Sequence, residues 1–557
     1  MPKISNGGGQ NLNNCGESKH ESKPKLESKP ESKSRLTHFI ALAKNHKFLC
    51  VFIALYCVFL IAFSRYAPNL DDLLWFEDIY FGEINFFYNA GGSPREGRFY
   101  PFANVDLLLL MKISHSPYLF FGVNAMLCVI FCVIYLKILD SSNGKNALNS
   151  AIIALFIMSA GFVRVFFGIC YPEKLQIIWI ALFMLFSLRV TQNPTPKNQL
   201  FGIIFLNIAL YYKEPLFIAA LAFGAVLLMY AISNHCKDLR KYAIYIIASA
   251  LLYVALYVLL ILAFWSVETY YKQHSFSYAR DLTSFVINDS LIAFGFGGIL
   301  LYRIYAVFVK KARIEPFFDG FLVASLAYLS VFIVLKMYDS YYLLPCYAFG
   351  IPAFIYFGRK YGRVLFIKIC VILGLLGFFM QNLPQGIYNM IDLKAQGVQF
   401  HRTLDFIASY LKENKSAKVY VYGSGRGKQL YGYDVQIYSF HLVKYAISMR
   451  GVDGNAWDIL RTNALYNDKA DNFSVEFDTP KSGDLMIVNN KSVFGDSLKK
   501  ARENGELLFK SGFSSVPYIA LLPFTQYISA KYFSVNLSGG RTNFFRLPRE
   551  TYIFRAK

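Results

Sequence analysis

No cysteine follows Cys370 in this chain of 557 residues, so the long region beyond it cannot close a disulfide of its own. The earlier cysteines include Cys128 and Cys132, one helical turn apart inside an apolar run, a placement that reads as small core residues rather than metal ligands. Acidic side chains are scarce. There are 36 Asp and Glu against 57 Lys and Arg, for a net charge of +21. An excess of that kind can mark a nucleic-acid binder. Here the basic residues sit in short loops between apolar runs and in the terminal regions, which reads as membrane topology and argues against nucleic acid. The apolar runs lack a polar face, which excludes a soluble helical array. No small-residue cleavage site follows the first run, and the polar arm before it is long, so an uncleaved N-terminal tail is expected.

What is present is hydrophobicity. The chain is 55% apolar with a mean hydropathy of +0.36, and most of the excess lies between Phe48 and Met380. The runs 48–65, 118–138, 148–168, 174–191, 199–212, 215–233, 243–265, 286–309, 317–336, 341–358 and 364–381 are close to the length that crosses a hydrocarbon core. The fold class expected is a mainly α, polytopic helical membrane protein with about eleven transmembrane helices. Two of these segments, 199–212 and 215–233, flank "YYKEP" and leave a single broken helix open.

Residues 1–47 carry the degenerate repeat "ESKHESKPKLESKPESKSR" and are expected to be a disordered cytoplasmic tail, since such a composition buries no core. Residues 48–382 form the expected membrane domain, with a first outer loop at 66–117. Residues 383–557 are less apolar and read as one extracytoplasmic α/β or α+β domain, with "HRTLDFIASYLKEN" helical and "AKVYVYG" and "DLMIVNN" as strands. Alternate loops carry Lys137 and Lys145, Lys197, then Lys237, Arg240 and Lys241, then Lys310, Lys311 and Arg313, then Arg359, Lys360 and Arg363. The positive-inside bias puts these loops and the N-terminus in the cytoplasm. An odd number of crossings puts the C-terminus outside.

Unusual side chains gather on the loops assigned outside. Asp71 and Asp72 open the first, in "NLDDLLWFEDIYFG", and Arg95 and Arg98 close it, in "REGRFYP". Glu173 and Lys174 lie on the second, Lys213 and Glu214 on the third, and Lys336, Tyr338 and Asp339 on a later one. A carboxylate pair at a membrane mouth is a functional hypothesis by default. Sugar transfer from a phosphate leaving group needs a carboxylate to take the acceptor proton and cations to steady the departing phosphate. Arg suits phosphate through its planar fork. Plainer readings stand beside each residue. Asp71 and Asp72 can mark a helix exit, Glu173 can favour a helix N-terminus, and Lys213 with Glu214 can be an interfacial ion pair. "GSGRGK" at 423–428 lacks the spacing of a nucleotide-binding loop and reads as a turn.

The order of these elements resembles the GT-C superfamily of integral-membrane glycosyltransferases, and most of all bacterial serotype-converting glucosyltransferases. The matching features are the "DD" opening the first outer loop, "YPEKLQ" entering a helix, "YYKEP", "MYDSYYLLP" before a late helix, and a C-terminal extracytoplasmic region. The resemblance covers about residues 48–382. It implies an inverting hexosyltransferase in a bacterial inner membrane, moving a sugar from a polyprenyl-phosphate donor to a periplasmic glycan or lipid. Asp71 and Asp72 would be the acidic pair and Glu173 a further catalytic acid. Lys213, Arg98, Arg95 and Lys336 would serve the donor phosphate. The family often has Arg-Tyr before the late element, and here "YDSYYLLP" has no Arg. One branch of the superfamily needs a divalent cation. No ligand set is seen beyond the acids, so no cofactor and no metal ligand are assigned. Alternatives of another class are a transporter or flippase for lipid-linked sugars, or a non-catalytic envelope assembly protein.

Overall fold

The computed structural model describes residues 45–66, 99–143, 146–262, 278–335, 339–421, 450–452, 480–489, 495–511 and 551–557. Most of the N-terminal tail, the 67–98 part of the first loop with Asp71, Asp72, Arg95 and Arg98, Lys336 and the "GSGRGK" turn lie outside those residues.

The chain is mostly helical. The elements run α1 (Lys47–Ile61), α2 (Val105–Met111), α3 (Pro117–Asn143), α4 (Asn146–Ile157), α5 (Ala160–Phe167), α6 (Glu173–Gln192), α7 (Pro196–Leu210) and α8 (Leu216–Ser233). They continue with α9 (Lys237–Leu260), α10 (Tyr278–Asn288), α11 (Gly297–Phe308), α12 (Pro316–Val334), α13 (Leu344–Lys360), α14 (Leu365–Gly377) and α15 (Leu383–Glu413). π-Helical turns at Leu291–Phe296 and Phe378–Asn382 lead into α11 and α15, and a 3₁₀ turn at Ser340–Leu343 leads into α13. Helices are what such apolar runs must form where lipid offers the backbone no hydrogen-bond partner.

Among the described residues, eight helices are long and apolar enough to cross a membrane, and nine if one bent pair counts as a single span. That is a multi-pass membrane protein. The expected count of eleven is not reached, for physical reasons at three runs. The 48–65 run yields α1, of 15 residues, and the 199–212 run yields α7, also of 15 residues. Both fall short of the length needed to span by themselves. The 148–168 run breaks into α4 and α5, which meet at 62°. "YYKEP" separates two helices, α7 and α8, at a turn.

The break between α4 and α5 is built by close packing. Ser159 is extended, at φ −64° and ψ 151°, and the amide of Ala160 donates to Asn382 Oδ1 at 3.0 Å. Gly386 on α15 lies so near the Met158 carbonyl that any Cβ there would collide with it, and Gly161 stands in the same relation to the Ser340 carbonyl. Glycine is used at both points because backbone must approach backbone. The short helix α5 is thereby held between α15 and the 3₁₀ turn. A polar knot backs the break. Asn382 Nδ2 donates to Asp289 Oδ1 at 2.9 Å, the Tyr347 hydroxyl donates to the same oxygen at 2.7 Å, and Gln381 Nε2 donates to Asn288 Oδ1 at 2.9 Å.

The far ends of α11, α12 and α13 are tied by charge. Buried Arg303 donates to both oxygens of Asp319, at 2.7 and 2.6 Å, and to the Tyr361 hydroxyl at 2.7 Å. Bidentate geometry of this kind is the favourable form for a buried pair.

No break separates α14 from α15. The proposed boundary at 382–383 falls inside one continuous helical run that includes the second π turn. Lys394 pins α15 to the bundle, donating to the Leu60 carbonyl at 2.5 Å with its ammonium 3.9 Å from the centre of the Phe121 ring. The far end of α15 packs on a four-stranded sheet of order β1-β2-β4-β3, made of β1 (Val419–Val421), β2 (Leu485–Asn489), β3 (Gly505–Ser511) and β4 (Thr551–Ala556). β1 and β2 are parallel, and the other two pairs antiparallel. Phe406 stacks on Phe509 at 4.7 Å and joins α15 to β3. A further helix, α16 (Gly495–Asn504), precedes β3.

The glycine contacts give a paired test. Gly386→Ala is expected to lower stability by about 1–3 kcal/mol through overpacking. Gly122→Ala, on α3 with no atom within 4 Å of its added carbon, is expected to raise it by about 0.5–1 kcal/mol. Thermal unfolding of the two variants in one detergent checks both signs.

Candidate functional site

The site begins where α5 ends. Gly168 terminates that helix, and "ICYP" turns the chain into α6, whose first residue is Glu173. An acid is favoured there by the helix dipole. The Glu173 carboxylate pairs with Lys213, from the turn between α7 and α8. Both are buried, Glu173 to 1% exposure and Lys213 to 7%. The Lys213 ammonium also lies 4.4 Å from the Tyr342 ring centre and 5.0 Å from that of Tyr341, both in the 3₁₀ turn before α13. Ring faces of this kind add attraction for a desolvated cation.

A second pair lies alongside. Arg164 on α5 donates to Asp339 Oδ1 at 3.2 Å and to the Tyr171 hydroxyl at 3.2 Å. Its guanidinium stands 5.3 Å from the Tyr341 ring centre, so Tyr341 is shared by both cations. Tyr171 meets Tyr341 edge-on at 5.1 Å.

Lys174 has a separate task. Its ammonium donates to Asn124 Oδ1 at 3.0 Å and to the Ile169 carbonyl at 2.5 Å. Asn124 in turn donates to the Phe166 and Gly168 carbonyls at 2.9 and 3.0 Å. Together they satisfy backbone oxygens left open at the end of α5.

Glu214 accepts the Phe99 amide hydrogen at 3.1 Å, and the Tyr253 hydroxyl donates to the Phe99 carbonyl at 2.7 Å. The exit of the first loop, next in sequence to Arg98, is thus anchored beside "YYKEP".

Of the residues singled out from sequence, the structure brings Glu173 and Lys213 into direct contact, with Asp339 one tyrosine away. Asp71, Asp72, Arg95, Arg98 and Lys336 lie outside the described residues. Sequence alone assigns no role to Arg164, Gln176 or Tyr328. The signal for Arg164 was its presence in an apolar run, since a lone charge there must have a partner. Among the described residues no three His, Cys, Asp or Glu side chains converge as a metal ion would need.

No protein-family model and no curated protein matches this sequence.

The burial of the Glu173–Lys213 pair has a measurable consequence. Glu173→Gln or Lys213→Met alone leaves an uncompensated buried charge and is expected to cost about 3–5 kcal/mol. The double variant is expected to recover most of that loss, because the pair itself contributes little net stability. A thermal-unfolding cycle in detergent reads the coupling.

Proposed function

We propose that this chain is an inverting membrane glycosyltransferase. It moves a hexose from a polyprenyl-phosphate donor to a glycan or lipid acceptor on the outer side of a bacterial inner membrane. The observation that carries this reading is the convergence of three loops, each read as outer from charge alone, on one polar cluster: Glu173, Lys213 and Asp339, with Arg164 of α5, around Tyr341 and Tyr342. A bundle whose helix ends hold paired ions against tyrosine rings can host an anionic lipid headgroup at the membrane surface.

In this reading an acceptor hydroxyl attacks the anomeric carbon and the bond from that carbon to the phosphate oxygen breaks. Polyprenyl phosphate leaves, and Asp71 or Asp72 takes the proton. Arg98, Arg95 and Lys336 steady the phosphate charge. Lys213 adds its charge to theirs while it keeps Glu173 as its partner. The N-terminus is cytoplasmic in this reading, and 383–557 is a periplasmic domain that receives the acceptor.

One observation favours a second reading, a carrier of lipid-linked sugars. The broken pair α4–α5, backed by buried Asp289 and Asn382, has the form of the discontinuous helices found at transporter sites.

A deletion strain complemented with wild type, Asp71→Asn or Asp72→Asn at matched protein levels separates the two. Envelope glycans are compared by mass spectrometry. Loss of one sugar mass that wild type restores and at least one Asn variant does not is the expected result. Full restoration by both variants would sink the transferase reading.

A further inference from the structure

Behind the Glu173–Lys213 pair lie polar atoms that neither ion uses. The second carboxylate oxygen of Glu173, Oε2, is buried with no hydrogen-bond partner among the described residues. Gln176, one turn further along the same face of α6, is fully buried, and both its amide oxygen and its amide nitrogen are unpartnered. The Tyr328 hydroxyl on α12 is likewise buried and unpartnered. Tyr328 belongs to the same cluster. Its ring packs against Phe332, Phe332 stacks on Tyr342, and Tyr342 faces Lys213.

Buried polar groups in native proteins are nearly always satisfied, and a group of unpartnered ones points to a ligand. These atoms define what it is. Glu173 Oε2 and Gln176 Oε1 accept, Gln176 Nε2 donates, and the Tyr328 hydroxyl does either. A phosphate offers acceptors alone and fails against the two acceptors. A cation is disfavoured by Lys213, which already neutralises the carboxylate. A neutral O–H group donates to one of the two acceptors while accepting from Gln176 Nε2 or the Tyr328 hydroxyl, and a water, with two protons, serves both acceptors. We infer that Glu173, Gln176 and Tyr328 form a hydroxyl-binding site beneath the ion pair. Its occupant is either a hydroxyl of the donor hexose or an ordered water. The hexose alternative rests on the glycosyltransferase reading, whereas the water alternative does not.

The test uses the full-length protein in lipid nanodiscs. Binding of undecaprenyl-phosphate-glucose is compared with binding of undecaprenyl phosphate alone, in wild type, Gln176→Leu and Tyr328→Phe. Infrared difference spectra of wild type against Glu173→Gln isolate the Glu173 carboxylate band, and the band is followed in the two variants and in ¹⁸O water. If a sugar hydroxyl occupies the site, wild type prefers the glucosylated lipid. Each variant then loses about fivefold to tenfold of that preference, the worth of one hydrogen bond, while binding of the bare phosphate is unchanged. If water occupies it, the lipid preference is unaffected, but the Glu173 band shifts in both variants and responds to ¹⁸O water. If neither the preference nor the band moves, there is no hydroxyl site. Tyr328→Phe removes a single oxygen, so its result stands even if Gln176→Leu fails to fold. If wild type binds neither lipid, the donor reading falls, and the band alone still decides the site.

Discussion

A lysine and a glutamate that have left water together set the terms for one end of this bundle. Neither Glu173 nor Lys213 can sit in an apolar bundle as a lone charge, because the desolvation cost is several kcal/mol per ion. Pairing requires the start of α6 and the turn after α7 to be neighbours, and the close packing of those two helices provides it. Tyr341 and Tyr342 then close over the ammonium, which brings in the turn before α13. Tyr341 is also shared with Arg164, so the second ion pair is positioned by the first. One electrostatic requirement thus gathers segments far apart in sequence.

Geometry of a different kind makes room for this. The chain cannot pass straight through at Met158–Ser159, because α15 and the 3₁₀ turn crowd the short helix α5 from two sides. Two glycines permit that crowding, and Asn382 takes up the amide that the break exposes. The bend leaves Arg164 within reach of Asp339. Lys174 and Asn124 satisfy the carbonyls that the end of α5 leaves open, so the bend costs little in unpaired backbone. These polar groups lie where the helices end or break, as a lipid environment favours.

Much of the architecture was legible because lipid imposes a strong rule on sequence. Eight of the apolar runs form helices of spanning length at the places where hydropathy put them. The segments 401–414, 417–423 and 484–490 were also readable, and their cores appear as the end of α15, β1 and β2. The helix count was harder to read. A run of apolar residues records that a segment avoids water, but α1 and α7 show that it does not record whether the helix reaches across. The break at Ser159 left no mark in hydropathy, since it is made by Gly386 and Asn382, more than two hundred residues away.

The amino-acid sequence by itself determined the class, a multi-pass helical membrane protein, and the particular loops on which charge collects. Those follow from composition along the chain and need no knowledge of which helices touch. Partner choice was decided by tertiary structure alone. Lys213 is adjacent in sequence to Glu214, yet Glu173, forty residues away, holds its ammonium, and Glu214 takes the amide of Phe99. Adjacency in the chain sets only which residues share a turn. Which charge meets which is set by the packing of α6 on α7 and by the turn before α13, and those contacts are written in no single segment.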